Sequence, residues 1–176
     1  KAQQIAHIGS WYFDFRENEV QWSEETYNIY GVSPDSFTPA VESILQLVHP
    51  DDRMAMQEYM HSFNTGINPG ELEIRIILAD GSLRYINGKG DSKFDKEGKL
   101  RSITGTVQDI TSLKKAELLI KEQEERLRTI FNTEPECIKL LNEKGELLDM
   151  NPAGLAMIEA DSLDMLKGKQ VLGIVA

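Results

Sequence analysis

Hydrophobic positions fall on two different periods along this chain, and each change of period marks an element. Trp11, Phe13 and Phe15 alternate with Tyr12 and Asp14, which predicts a strand with one aromatic face. Glu17-Asn18 predicts a tight turn into a second strand at Val20–Trp22, so the two form a hairpin. Upstream, Ile5 and Ile8 share one side of a short lead-in helix that Gly9-Ser10 stops. Ser23 followed by Glu24 and Glu25 is a helix start, because the hydroxyl caps and the acids oppose the helix dipole; Gly31 ends that helix. Pro34 opens a single turn, and Val41, Ile44, Leu45 and Val48 then recur at helical spacing. His49–Arg53 breaks and restarts the helix, whose inward stripe is Met56, Met60 and Phe63.

Period two returns at residue 71. Leu72, Ile74, Ile76 and Leu78 alternate with Glu71, Glu73 and Arg75, and Asp80-Gly81 is a two-residue hairpin turn with both residues at positive φ. A strand over 82–94, a turn at 95–98 and a last strand over 99–110 complete this part. Two strands, a run of short helices and three strands make an α+β domain with one antiparallel sheet over 1–110. Residues 111–132 carry no Gly or Pro and are rich in Glu, Lys, Arg and Leu, which predicts one long helix. On it Leu113, Ile120 and Leu127 recur every seventh residue, with Ala116 and Ile130 at the companion positions. That is a short coiled-coil seam, interrupted at Gln123 and Glu124. Over 133–176 the opening pattern restarts, and Met150-Asn151 stands 128 residues after Trp22-Ser23. This second copy stops before any equivalent of residues 71–110, so it supplies only the N-terminal part of a second domain.

Charge narrows the partners. The net charge is −10 with no Lys/Arg cluster, which argues against nucleic acid and against anionic membrane surfaces. The strongly apolar runs are about four residues long, too short to span a bilayer. A single Cys, Cys137, rules out a disulfide within the chain and a Cys-based zinc site. These features point to a cytoplasmic fragment whose parent could still be anchored in a membrane.

Five segments in order carry a resemblance: IGSWYFD (8–14), VQWSEETYNIYG (20–31), VHPDDR (48–53), ELEIRIILADGSLRYI (71–86) and GKLRSITGTVQDIT (98–111). Together they resemble a PAS domain with its PAC segment, of the kind found in bacterial sensor kinases and cyclic-dinucleotide enzymes. LLNEKGELLDMNPAGLAMIEA (140–160) and the LKG at 166–168 resemble the start of a second one. The resemblance implies a five-stranded antiparallel sheet of order 2-1-5-4-3, helices on one face and a pocket between them. It also implies that Asp109, Ile110 and Thr111 pass the last strand into a helix that transmits state to an output domain. In such proteins that domain is a histidine kinase of a two-component phosphorelay or a diguanylate cyclase. Neither an ATP-binding glycine box nor a GGDEF-type motif occurs here, nor any nucleophile elbow, Walker loop or HExxH. The fragment is therefore no enzyme; it senses and couples.

By alternation, the pocket wall consists of Trp11, Phe13, Ile74, Ile76, Ile86, Ile103 and Val107, with Met56 and Met60 from the helix. Plain core packing explains the same residues, since any sheet face under helices is apolar. Gly88, Gly90 and Gly105 favour a pocket by removing side chains from that face, although strand coiling uses glycine as well. The light-sensing flavin branch of the family carries a reactive Cys on a helix and amides on its central strands. Here the one Cys is Cys137, in the second copy, and Ile76, Ile86 and Val107 stand at the sheet positions. Haem needs an axial ligand, and of His7, His49 and His61 none sits on the inward stripe. The sequence thus names no cofactor, with a noncovalent flavin or haem as the open alternatives. The transmission set is Asp109, Ile110, Thr111, Leu113, Ala116, Ile120, Leu127 and Ile130, expected to pair two copies of the chain. The competing reading is a ligand-free PAS dimerisation or protein-interaction module.

Overall fold

The computed structural model describes residues 7–65 and 68–170. It divides into two compact units, 1–115 and 116–176, and the boundary falls within one long helix. The first unit contains strands β1 (Ile8–Asp14), β2 (Glu19–Trp22), β3 (Glu71–Ile77), β4 (Leu83–Phe94) and β5 (Leu100–Asp109). Between β2 and β3 lie helices α1 (Glu24–Tyr30), α2 (Val41–Leu47) and α3 (Arg53–Ser62), with single 3-10 turns at Pro50–Asp52 and Phe63–Thr65. The sheet is antiparallel with order β2-β1-β5-β4-β3. Long helix α4 covers Thr111–Thr133. In the second unit β6 (Lys139–Leu141) and β7 (Leu147–Met150) form a hairpin, followed by α5 (Pro152–Met157).

Local chemistry accounts for most of these boundaries. The Ser23 hydroxyl accepts the Thr26 N–H at the start of α1, and Gly31 closes it at φ +66°, where a side chain would be strained. Asn18 takes φ +51° in the β1–β2 turn. In the β3–β4 turn only Gly81 has positive φ (+80°). The Gly81 N–H bonds the Leu78 carbonyl and the Asp80 carboxylate accepts the Ser82 N–H, so this is a longer turn than the expected two-residue one.

Two expectations near the N-terminus change. Residues 1–6 of the lead-in helix lie outside the described residues, and Ile8 opens β1 rather than closing a helix. Gly9 does not stop a helix; it lies inside β1, where a Cβ would run into the main chain of Thr26 at 2.7–2.8 Å. Close approach of β1 and α1 lets the fully buried Thr26 hydroxyl donate to the Ser10 carbonyl at 2.9 Å.

The HPDD turn is fastened to the sheet as well. The Asp52 carboxylate makes no cap bond to α3. It accepts from Arg75 three times, from the main-chain N–H (2.8 Å), Nε (2.8 Å) and Nη2 (2.6 Å), and so ties the start of α3 to β3. The Arg75 side chain beside it holds the Asp52 carboxyl below its ordinary range. A group with a depressed folded value stabilises above the unfolded value and loses that contribution as pH falls through the folded one. Asp52→Asn is therefore expected to cost about 2 kcal/mol at neutral pH. The gap to the unsubstituted protein should close below about pH 4. Urea midpoints measured at both pH values check this, and a gap that persists in acid would contradict it.

The second unit repeats the opening of the first at the level of single hydrogen bonds. In the first unit Ser23 Oγ accepts the N–H of Ser10 and of Thr26, while the Ser23 N–H donates to the Ser10 carbonyl. In the second, Asn151 Oδ1 accepts the N–H of Ile138 and of Gly154, and the Asn151 N–H donates to the Ile138 carbonyl. All three positions are offset by the same 128 residues seen in the sequence. The space between strand and helix is filled from opposite sides, by Thr26 against Gly9 in one unit and by Met150 and Cys137 against Gly154 in the other.

Candidate functional site

The inward sheet face meets the helices in two apolar clusters. One gathers Ile29, Tyr30, Val48, Ile74, Ile76, Ile86 and Val107; the other gathers Tyr59, Phe63 and Ile103. Trp11 packs against both. In the first unit lies a cavity of about 70 Å³. Its sheet wall is Trp11, Phe13, Val20, Trp22, Leu72, Ile74, Ile86, Gly88 and Val107, and its helical wall is Tyr30, Val41, Ile44, Leu45, Met56, Tyr59 and Met60.

Of the wall expected from alternation, Ile76 and Ile103 do not reach the cavity. Ile76 is fully buried where Val48 bridges to it, beside the start of α3. Ile103 is fully buried in the second cluster, under Tyr59 and Phe63. The glycines also divide. A Cβ on Gly90 would lie 2.9 Å from both Phe63 and Trp11, and one on Gly105 would collide with the Trp11 ring and the Lys89 carbonyl. Trp11 thus occupies the room those two glycines leave. Gly88 is different: its nearest neighbour is 3.9 Å away, so it opens the wall. Alternation along strands could not reveal the helical half of the wall, since α2 contributes three residues to it without fully burying any.

The lining is apolar with few polar groups and no charged side chain. Trp22 stacks on Tyr30 (4.6 Å, 21°) and on Phe37 (5.5 Å, 25°). The Tyr59 hydroxyl donates to the Gly70 and Gly88 carbonyls at 3.3 and 3.5 Å. Tyr30 is only 7% exposed, and burial pushes its phenol well above the ordinary value. Its hydroxyl makes no hydrogen bond to another described residue, and it is not fully buried, so its oxygen stays accessible.

Neither haem nor a flavin adduct fits this donor set. His7 and His61 are exposed, His49 Nδ1 accepts the Asp51 N–H, and none of the three lines the cavity. Cys137 belongs to the second unit. Among the described residues no group of three or more His, Cys, Asp or Glu could hold a metal ion, and no helix is long and apolar enough to cross a membrane.

Next to the cavity, Arg84 joins three elements. Its Nη1 donates to the carbonyls of Asn28 (2.8 Å) and Ile29 at the end of α1, and its Nε pairs with Asp109 Oδ2 at 3.2 Å. Asp109 Oδ1 accepts the Thr111 N–H, and Thr111 Oγ1 accepts the Tyr85 N–H, so α4 starts fastened to β4. Ile110 is buried, and Lys114 pairs with Glu73 at 2.7 Å. Beyond this turn the apolar positions are open. Leu113, Ile120, Leu127 and Ile130 are 49–65% exposed, Ala116 is exposed, and Leu118 and Leu119 add to the apolar surface. Sequence reasoning missed Arg84 altogether; only its place in the RYI segment beside the hairpin turn could have marked it.

A family model described as PAS fold matches residues 19–107. A probable diguanylate cyclase, DgcE, of Escherichia coli is 24% identical over 156 residues, which cover 89% of this chain and 14% of that protein. A blue-light-activated histidine kinase of Brucella anthropi is 30% identical over 115 residues, covering 65% of this chain and 22% of that one. The chain thus spans less than a quarter of either relative. A crystal structure of a sensory box histidine kinase/response regulator from Burkholderia thailandensis shares the fold, with TM-score 0.61 and 21% identity over 73% of this chain and 95% of that one.

Proposed function

The chain belongs to the PAS fold family, and on that premise we propose that it is a sensory input module whose cavity is coupled to α4 and, through α4, to an output domain. One observation carries this reading. Tyr30 lines the cavity at the end of α1, the carbonyls just before it are held by Arg84, and Arg84 holds Asp109 at the start of α4. A molecule entering the cavity and displacing Tyr30 would load the same two carbonyls and so the first turn of α4. The output in the parent protein is a histidine kinase or a diguanylate cyclase, the activities named for the two relatives.

The exposed seam on α4 supports pairing of two chains through this helix, a homodimer. With Gln123 at a core position and Glu124 beside it, the pairing is weak, which suits a switch whose states differ by a few kcal/mol. The matching hydrogen bonds around Ser23 and Asn151 support the second unit as the start of another PAS domain. Charge and the absence of an apolar spanning helix among the described residues fit a cytoplasmic placement.

Glu117→Pro tests the coupling, since proline breaks the helix at a cost of roughly 3 kcal/mol. The intact parent is expected to lose its response to the input while the first unit stays folded by circular dichroism. An unchanged response would overturn the proposal. The second reading, a ligand-free dimerisation module, draws on the small volume of the cavity and on Trp11 filling the space at Gly90 and Gly105. Native mass spectrometry with an absorbance scan separates the two: a co-purified small molecule favours sensing, and a clean apo dimer favours the second.

A further inference from the structure

We infer that the cavity takes a compact, uncharged, mainly apolar molecule with one hydrogen-bond acceptor, and that the Tyr30 hydroxyl is the group that reads it. This rests on the cavity being a ligand site, as proposed above, and adds the chemical class.

Three observations converge on that class. First, no Lys, Arg, His, Asp or Glu lines the cavity, so a carboxylate, phosphate or ammonium group would be buried without a counter-charge. Second, the cavity is about 70 Å³, roughly half the ~150 Å³ of an apolar cavity known to admit benzene. Met56 and Met60 are half-buried and have flexible chains, and α2 covers the cavity without burying a residue, so the space can widen to a single ring but holds no large cofactor as it stands. Third, the polar groups of the wall are not equivalent. Tyr59 already donates to main-chain carbonyls. Tyr30 lines the cavity, and its accessible hydroxyl makes no hydrogen bond to another described residue. Its raised value keeps it protonated, hence a donor, at any physiological pH. A donor with no protein acceptor exchanges water for the ligand's acceptor, a gain of about one net hydrogen bond.

The test uses phenol, toluene and benzoate, one ring each with a neutral polar group, none, or a charge. Binding to the full chain is followed by calorimetry and by tryptophan emission, because both tryptophans of the chain line the cavity. Phenol and toluene are expected to bind, and benzoate to show no binding at the highest phenol concentration used. Tyr30→Phe should weaken phenol about five- to tenfold and leave toluene unchanged, the loss expected of one neutral hydrogen bond. That variant deletes a hydroxyl without a partner, so it is expected to fold at least as stably, which thermal melting checks. Benzoate binding as tightly as phenol, or an equal effect of Tyr30→Phe on phenol and toluene, overturns the assigned class and leaves the sensing reading standing. Failure of all three compounds to bind overturns both.

Discussion

Gly105→Ala is expected to destabilise the first unit by about 3 kcal/mol, the upper end of ordinary overpacking, and to lower its melting temperature by roughly 12 °C. The added methyl would meet the Lys89 carbonyl and the Trp11 ring. A flexible side chain could move aside. A carbonyl inside the β4–β5 ladder cannot move without breaking the pairing of Lys89 with Thr106 and of Gly90 with Gly105. Gly88→Ala is the control on the same face of the neighbouring strand. Its methyl has 3.9 Å of clearance, so the change should lie between neutral and about 1 kcal/mol stabilising, through the lower entropy of the unfolded chain. Urea denaturation followed by tryptophan emission reports on the first unit alone, since Trp11 and Trp22 both lie there. Equal midpoints for the two variants would show that Trp11 does not occupy the place described.

Arg84→Met is expected to separate the cavity from the helix. The variant keeps the length of the side chain and removes the Asp109 ion pair and both carbonyl bonds. Arg84 and Asp109 are each about a quarter exposed (25% and 26%), so solvent weakens the pair. A local loss of about 2 kcal/mol remains reasonable for three charge-assisted contacts. Amide exchange over the first turn of α4 should then quicken roughly 30-fold while the core strands keep their protection. In the parent protein the output should no longer follow cavity occupancy, although the cavity still fills. Unaltered exchange in that turn would remove Arg84 from the coupling.

These two residues show where reading the chain as a sequence succeeds and where it stops. Strand faces are legible because alternation is a local property: Phe13, Ile74, Ile86 and Val107 stand where period two puts them. Caps are legible for the same reason, as at Ser23, Gly31 and Asn151. The contents of a space are not local. Gly90 and Gly105 look like missing wall until Trp11, some eighty to ninety residues earlier in the chain, is placed across them. Ile76 and Ile103 share the periodicity of the wall yet lie under Val48 and Phe63, because which part of a sheet face a short helix covers depends on how loops deliver it. Arg84 was invisible in the same way, for its acceptors are main-chain carbonyls that have no residue signature.

The exchanged pairing at the two strand–helix contacts bears on how a chain with two similar openings avoids confusing them. Segments of similar structure in one chain are prone to trade places while folding. Were the segment leading into β6 to dock on α1, the Cys137 side chain would compete with Thr26 for one space; were β1 to dock on α5, Gly9 would bring no side chain to stand beside Met150 at Gly154. One wrong combination is overfilled and the other underfilled. Cys137 would act there as a steric label that matches each opening strand to its own helix.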